Sequence, residues 1–247
     1  MSTKPAWPQG YDRLVLEETD STMAEAQRRA PQTQGACWIL ALRQTAGRGR
    51  RGRAWVDPAG NFAATLILRS ADAPQRLALR SFVAALALHD ALVAVTGIEQ
   101  GFALKWPNDV LLNGGKLSGI LLESLGQGGV ALGIGVNLRA SPVPDPDAAF
   151  PPVSLRGETG IALSPETLLD HLAPAFDTWE RRFVTYGFEP IRSAFLARVA
   201  RLGEPITART MTASLDGVFE GIDESGGLVL KTRDGRVSVP AADIFFP

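Results

Sequence analysis

Cysteine is almost absent from this chain. Cys37 stands alone, so no disulfide can form within it, and a single thiol in an apolar stretch points to a reducing, cytoplasmic setting. Histidine is nearly as scarce: His89 and His171 have no cysteine pair near them, which argues against a zinc site made of His and Cys. Neither sign of charge dominates, because 25 Lys and Arg oppose 26 Asp and Glu for a formal net charge of -1, a poor fit to a protein living on phosphate backbones. Long hydrophobic runs are missing too. The longest apolar region, 77–95, is interrupted by Arg80, His89 and Asp90, and the first residues hold no stretch of signal-peptide length, so no membrane partner is expected. What remains reads as an ordinary globular chain, 45% hydrophobic and 21% charged, whose 247 residues suffice for one full domain and a small one.

What is present in excess is arginine in one place. The stretch Gln44-Thr-Ala-Gly-Arg-Gly-Arg-Arg-Gly-Arg-Ala-Trp55 puts four arginines within six residues, interleaved with Gly47, Gly49 and Gly52. Each guanidinium offers a planar fork of donors for carboxylate or phosphate oxygens, and the glycines let the backbone close around the bound anion. A solvated basic turn is the plain alternative. The glycines also satisfy G-x-G-x-x-G, but the following 54–61 lead into a second strand-like run at 62–68, so the helix needed to hold a pyrophosphate is missing. A nucleic-acid arm is disfavoured because Trp55 is the loop's one stacking aromatic.

Periodicity predicts a strand near 13–17, a helix over 22–30, strands at 37–42 and 62–69, and a helix over 74–96 stopped by Gly97. Next come short strands joined by tight turns, Asn113-Gly114-Gly115 separating 110–112 from 117–123, and 126–129 separating that run from 130–138. Consecutive hairpins imply an antiparallel or mixed sheet in an α+β fold, against a doubly wound one. A loop with five prolines at 141–152 precedes helices at 165–182 and 190–201. From 204 onward the pattern changes to short strands and turns, which places a boundary near Gly203 and divides the chain into residues 1–202 and 203–247.

The segment Lys105-Trp-Pro-Asn-Asp-Val-Leu-Leu-Asn-Gly-Gly-Lys-Leu-Ser-Gly-Ile-Leu-Leu-Glu123, taken with the arginine loop and Gly133-Ile-Gly-Val-Asn-Leu138, closely resembles the biotin protein ligases, or biotin–[acetyl-CoA-carboxylase] ligases. The resemblance spans about residues 12–247, with three motifs in the family's order. It implies a catalytic domain related to class II aminoacyl-tRNA synthetases with a mixed or antiparallel sheet, plus a small C-terminal SH3-like β-barrel. It also implies a reaction in two steps: biotin and ATP, with Mg²⁺, give biotinyl-AMP, and a lysine of a biotin carboxyl carrier protein then takes the biotin. A monomer or homodimer is expected. Residues 1–12 are too few for the DNA-binding helix-turn-helix of many bacterial members, so no DNA partner and no repressor role are expected.

The same resemblance distributes roles. Lys116 matches the active-site lysine, bridging the biotin carboxylate and the α-phosphate, as preorganised cations must where anionic charge grows; an exposed hairpin lysine is the alternative. Arg48 and Arg50 match loop arginines for the carboxylate and phosphates, with Arg51 and Arg53 beside them. Ser21, Thr22 and Gln44 match residues on the ureido head group, a neutral group that needs fixed polar partners, with Gly47, Gly49 and Gly119 completing the biotin seat. Thr22 with Glu25 also spells a capping box for the first helix, and both roles can coexist. Met23 stands where the family often has Asn. Trp55, Asn108, Asp109 and Asn137 fall to ATP, with Asn108 as a candidate Mg²⁺ ligand, although Asn108-Asp109 also reads as a plain turn and the glycines of 133–137 as a bulge. Val143, Phe150 and Val153 are candidates for apolar cover over the adenylate. A ligase for lipoate on a shared scaffold is the main rival.

Overall fold

The computed structural model describes residues 5–49, 52–126, 128–144, 150–210 and 212–246. Its first half winds into a mixed five-stranded sheet. Strand β1 (Tyr11–Leu16) is followed by helix α1 (Thr22–Arg29) and by β2 (Ala36–Ala41), which lies parallel to β1. Strand β3 (Phe62–Arg69) runs antiparallel to β2. The predicted helix over 74–96 divides at Leu79 into α2 (Pro74–Ala78) and α3 (Arg80–Thr96), and Gly97 ends it with φ 70° and its N–H on the Val93 carbonyl. A three-stranded sheet follows, β4 (Phe102–Lys105), β5 (Asp109–Leu112) and β6 (Gly115–Lys116). The turn at 113–114 thus returns the chain into β6 rather than into the long strand expected there, and β7 (Ser118–Gly126) crosses into the large sheet. There it pairs with β8 (Gly129–Val136), giving the order β1-β2-β3-β8-β7.

Two faces of that sheet are buried, which explains why β3 is apolar almost throughout. Trp38, Leu40, Phe62, Ala64 and Leu66 belong to the main core, with α3 and a long helix over Pro165–Tyr186; Phe176 meets Trp38 edge to face at 5.8 Å. Ile39, Ile67 and Ala131 point the other way, onto Met23 and Ala26 of α1. The region Pro74–Thr96 is long and apolar enough to cross a membrane by length and composition, yet 61% of its apolar window is buried inside the fold. Arg80 belongs to this burial: only 1% exposed, it is held by Glu180 at 2.8 Å and Asp72 at 2.9 Å.

The short helix α4 (Leu155–Thr159), absent from the sequence expectations, is capped by Ser154, whose hydroxyl accepts from Gly157 N–H. Helix α5 (Pro165–Tyr186) starts at its Ser164 cap and runs a turn beyond the expected end, and α6 (Glu189–Leu196) follows. The rest is a second five-stranded sheet of β9 (Pro205–Arg209), β10 (Ser214–Ile222), β11 (Leu228–Thr232), β12 (Gly235–Val239) and β13 (Asp243–Phe245), all antiparallel in the order β12-β11-β10-β9-β13. It shares the main core through Ile206, Phe219 and Leu230, and the Trp106 indole donates to the Gly226 carbonyl at 2.9 Å, fastening β4's end to the turn before β11.

Candidate active site

A cavity of about 450 Å³ opens where the large sheet, the small sheet and β13 meet, within the range of small-molecule sites. One end is made of neutral polar groups. Ser21 and Thr22, at the start of α1, are buried, and Gln44 follows β2. The expected capping box does not form: Ser21 is the cap residue without a side-chain bond, and Glu25 turns to Arg28 and Arg29. The reason is a stronger competitor. Gln44 Oε1 accepts from both Thr22 N at 2.8 Å and Thr22 Oγ1 at 3.1 Å, and Thr65 Oγ1 donates to Thr22 Oγ1 at 2.8 Å. Ser21 Oγ, buried beside them, has no partner among the described residues, an unmet need that a ligand can satisfy.

The floor is bare backbone. Gly119 of β7 and Gly135 of β8 are direct cross-strand partners, and the Trp55 indole lies over both. A Cβ at Gly135 would sit 2.6 Å from Trp55 Cζ2 and Nε1, so no other residue fits under the ring. Trp55 is placed by the arginine loop, which closes as a small hairpin through Trp55 N to Gly47 O at 2.9 Å and Gly49 N to Arg53 O at 2.8 Å. Its indole Nε1 is buried without a partner among the described residues.

The other end carries charge. Lys116 Nζ lies 3.0 Å and Lys105 Nζ 3.5 Å from Asp109 Oδ2. Asp109 and Lys105 are buried, whereas the Lys116 side chain is 36% exposed, so Lys116 is the more accessible of the two ammonium groups. Its backbone is strapped to the end of the proline-rich loop by Lys116 N to Pro151 O at 2.8 Å and Val153 N to Lys116 O at 3.0 Å. Phe150, from the same loop end, lines the cavity and lies under Lys105 at 4.7 Å. Arg48 and Arg53 reach the cavity from the hairpin, and Arg53 stands 3.9 Å from Asp243 of β13.

The cavity therefore gathers Ser21, Thr22 and Gln44 at one end, Arg48, Gly49, Arg53 and Trp55 along the hairpin, and Asp109, Lys116 and Gly119 beneath. Gly47 stands behind the wall, its Cβ position 2.6 Å from the Trp55 carbonyl. Arg50 and Arg51 lie outside the described residues. Asn108 and Asn137 are buried but do not line the cavity. Asn108 Nδ2 donates to Ile120 O at 3.0 Å and Asn137 Nδ2 to Val153 O at 3.0 Å, leaving both amide oxygens unpartnered among the described residues. For Asn137 the cause is that β8 ends at Val136, so the alternation that placed it beside Gly133 and Gly135 has stopped. Among the described residues no group of three His, Cys, Asp or Glu could hold a metal ion. Lys105, Met23 and Ala63 also line the cavity, as do Asp243, Ile244 and Phe245. Lys105 opens a motif already quoted and could have been singled out; the β13 residues carry no local signal.

Residues 15–140 match the Biotin/lipoate A/B protein ligase family and residues 202–246 the biotin protein ligase C terminal domain. The chain is 58% identical to the biotin–[acetyl-CoA-carboxylase] ligase of Paracoccus denitrificans over 94% of its length and 99% of the relative's. It is 33% identical to the bifunctional ligase/repressor BirA of Bacillus subtilis over 93% of its length and 71% of the relative's. Among solved structures, the biotin protein ligase from Aquifex aeolicus in complex with biotin and ATP superposes with a TM-score of 0.82 at 26% identity, covering 94% of this chain and 97% of that one. The chain belongs to the biotin protein ligase family, and its mixed sheet followed by an antiparallel C-terminal sheet is that family's fold.

Proposed function

We propose that this protein is a biotin–[acetyl-CoA-carboxylase] ligase. The observation that carries the reading is one cavity joining Ser21, Thr22 and Gln44 to Lys116, Lys105 and Arg48 across a glycine floor. A long molecule with a neutral hydrogen-bonding head and a carboxylate tail fits that order. The biotin carboxylate attacks the α-phosphate of ATP, pyrophosphate leaves, and the mixed anhydride stays bound. The amine of a carrier lysine then attacks its carbonyl, an amide forms and AMP departs. Lys116, Arg48 and Arg50 are assigned to the carboxylate and α-phosphate, where fixed cations stabilise the growing charge. Ser21, Thr22 and Gln44, with Gly47, Gly49 and Gly119, take the biotin side; Arg53, Trp55 and Asp109 take the nucleotide side. Asn137 supports that side through its bond to the 153–155 segment.

Asp109 is held by two ammonium groups and Asn108 offers one amide oxygen behind the wall, a donor set too sparse to keep a resident Mg²⁺. The ion enters this reading on the phosphates of ATP. Residues 1–202 are taken as a catalytic domain of the class II synthetase type and 203–247 as an SH3-like domain whose β13 walls the cavity. The lone Cys37 supports a cytoplasmic site of action on a biotin carboxyl carrier protein.

Biotin-dependent exchange of labelled pyrophosphate into ATP tests the reading. Exchange should appear with biotin and be far weaker with lipoate, which lacks the ureido group and leaves the buried head-end donors unpaired. Equal exchange with lipoate would transfer the protein to the other half of its family.

A further inference from the structure

The hydrogen bonds at the polar end of the cavity all run one way. Thr22 N–H donates to Gln44 Oε1, which settles which end of the carboxamide is oxygen. The Thr22 hydroxyl must then donate to that same oxygen, and its lone pairs receive the Thr65 hydroxyl. At the far side Gln44 Nε2 donates to Asp57 Oδ2 at 3.4 Å. A series of donors needs a terminal acceptor, and an ionised carboxylate, which accepts and does not donate, is the group that cannot reverse it.

Asp57 lies just beyond the arginine hairpin, does not line the cavity and belongs to none of the motifs discussed above. Its other oxygen, Oδ1, is buried without a partner among the described residues. Burial pushes its carboxyl up to about 6, opposed by the hydrogen bonds from the Gln44 side chain and backbone. The charge is thus held in an unfavourable setting, where a neutral side chain would cost the fold less.

We propose that Asp57 is a positioning residue for the polar head of the substrate: it clamps the Nε2 end of Gln44 while Thr22 clamps the Oε1 end. The carboxamide then meets the ligand in one orientation, with one Nε2 hydrogen left to give. Asp57 itself touches no substrate and acts through Gln44. The inference rests on the biotin ligase reading.

Asp57→Ala and Asp57→Asn, assayed as full-length protein by pyrophosphate exchange, test it. Asp57→Ala should raise the biotin KM about tenfold, the scale of one hydrogen bond to a charged group. Its kcat and ATP KM should stay within about twofold. Asp57→Asn keeps an acceptor oxygen and should return the biotin KM to within about threefold of wild type. It should also melt no lower than wild type at pH 7, because it removes a charge that burial opposes. A biotin KM unmoved in Asp57→Ala overturns the inference. So does a parallel rise in biotin and ATP KM with a lower melting temperature, or an Asn variant no better than Ala. Wild-type protein without biotin-dependent exchange would instead overturn the ligase reading itself.

Discussion

The two ends of the cavity are built on opposite plans. At the polar end, Thr22, Thr65 and Gln44 are tied to one another and backed by the large sheet, so their geometry exists before any ligand arrives. At the charged end the side chains come from separate places: the long Arg48 and Arg53 from a hairpin, the long Lys116 from a two-residue strand, and Asp243 from the last strand. A neutral head group is recognised only by partners in register, because a mispaired buried donor costs more than a correct one returns. Charge acts over distance and tolerates slack. Selectivity should therefore depend on the first end and rate on the second.

Lys116→Ala should break the rate end most severely. Adenylate formation in a single turnover should slow by at least about a hundredfold, the scale of losing one preorganised charge-stabilising group. The melting temperature should move little, because Asp109 keeps Lys105. Near-normal adenylation in that variant would reduce Lys116 to a hairpin lysine and erase the comparison. Thr22→Val keeps the shape of the side chain while removing the hydroxyl, stranding Thr65. It should raise the biotin KM on the order of thirtyfold, between one and two lost hydrogen bonds, with kcat changed only a few fold. A fall in kcat with biotin KM unchanged would assign the polar end to chemistry rather than selection.

The contrast also marks what the sequence could show. The strands at 37–42 and 62–69 are legible because burial on both sheet faces leaves continuous apolar runs, and the arginine loop because no core needs four guanidinium groups. Ser21, Thr22, Gln44 and Lys116 line one cavity. The capping box was misleading because local spacing cannot reveal Gln44, 22 residues away, competing for the Thr22 hydroxyl. The break at Leu79 and the crossing from β6 into β7 reflect packing between elements, which alternation does not encode. Phe150 is legible only through the resemblance, which puts the proline-rich loop over the adenylate, and Asp243, Ile244 and Phe245 carry no signal because their place depends on how the second sheet docks.

Arg53 gives the finest test of the distinction. Its side chain is 75% exposed, and the Asp243 carboxylate lies 3.9 Å away. An exposed pair at such a distance contributes about 0–1 kcal/mol and weakens as salt screens it. Arg53→Ala should therefore raise the ATP KM less than about fivefold, and the difference from wild type should shrink in high salt. Asp243→Asn should move the ATP KM the other way or leave it alone, because it removes a carboxylate that competes with phosphate for the same guanidinium. A loss above about tenfold for Arg53→Ala, unchanged by salt, would mean a desolvated and rigidly held guanidinium. The charged end would then be as tightly organised as the polar one, and selectivity and rate could no longer be divided between them.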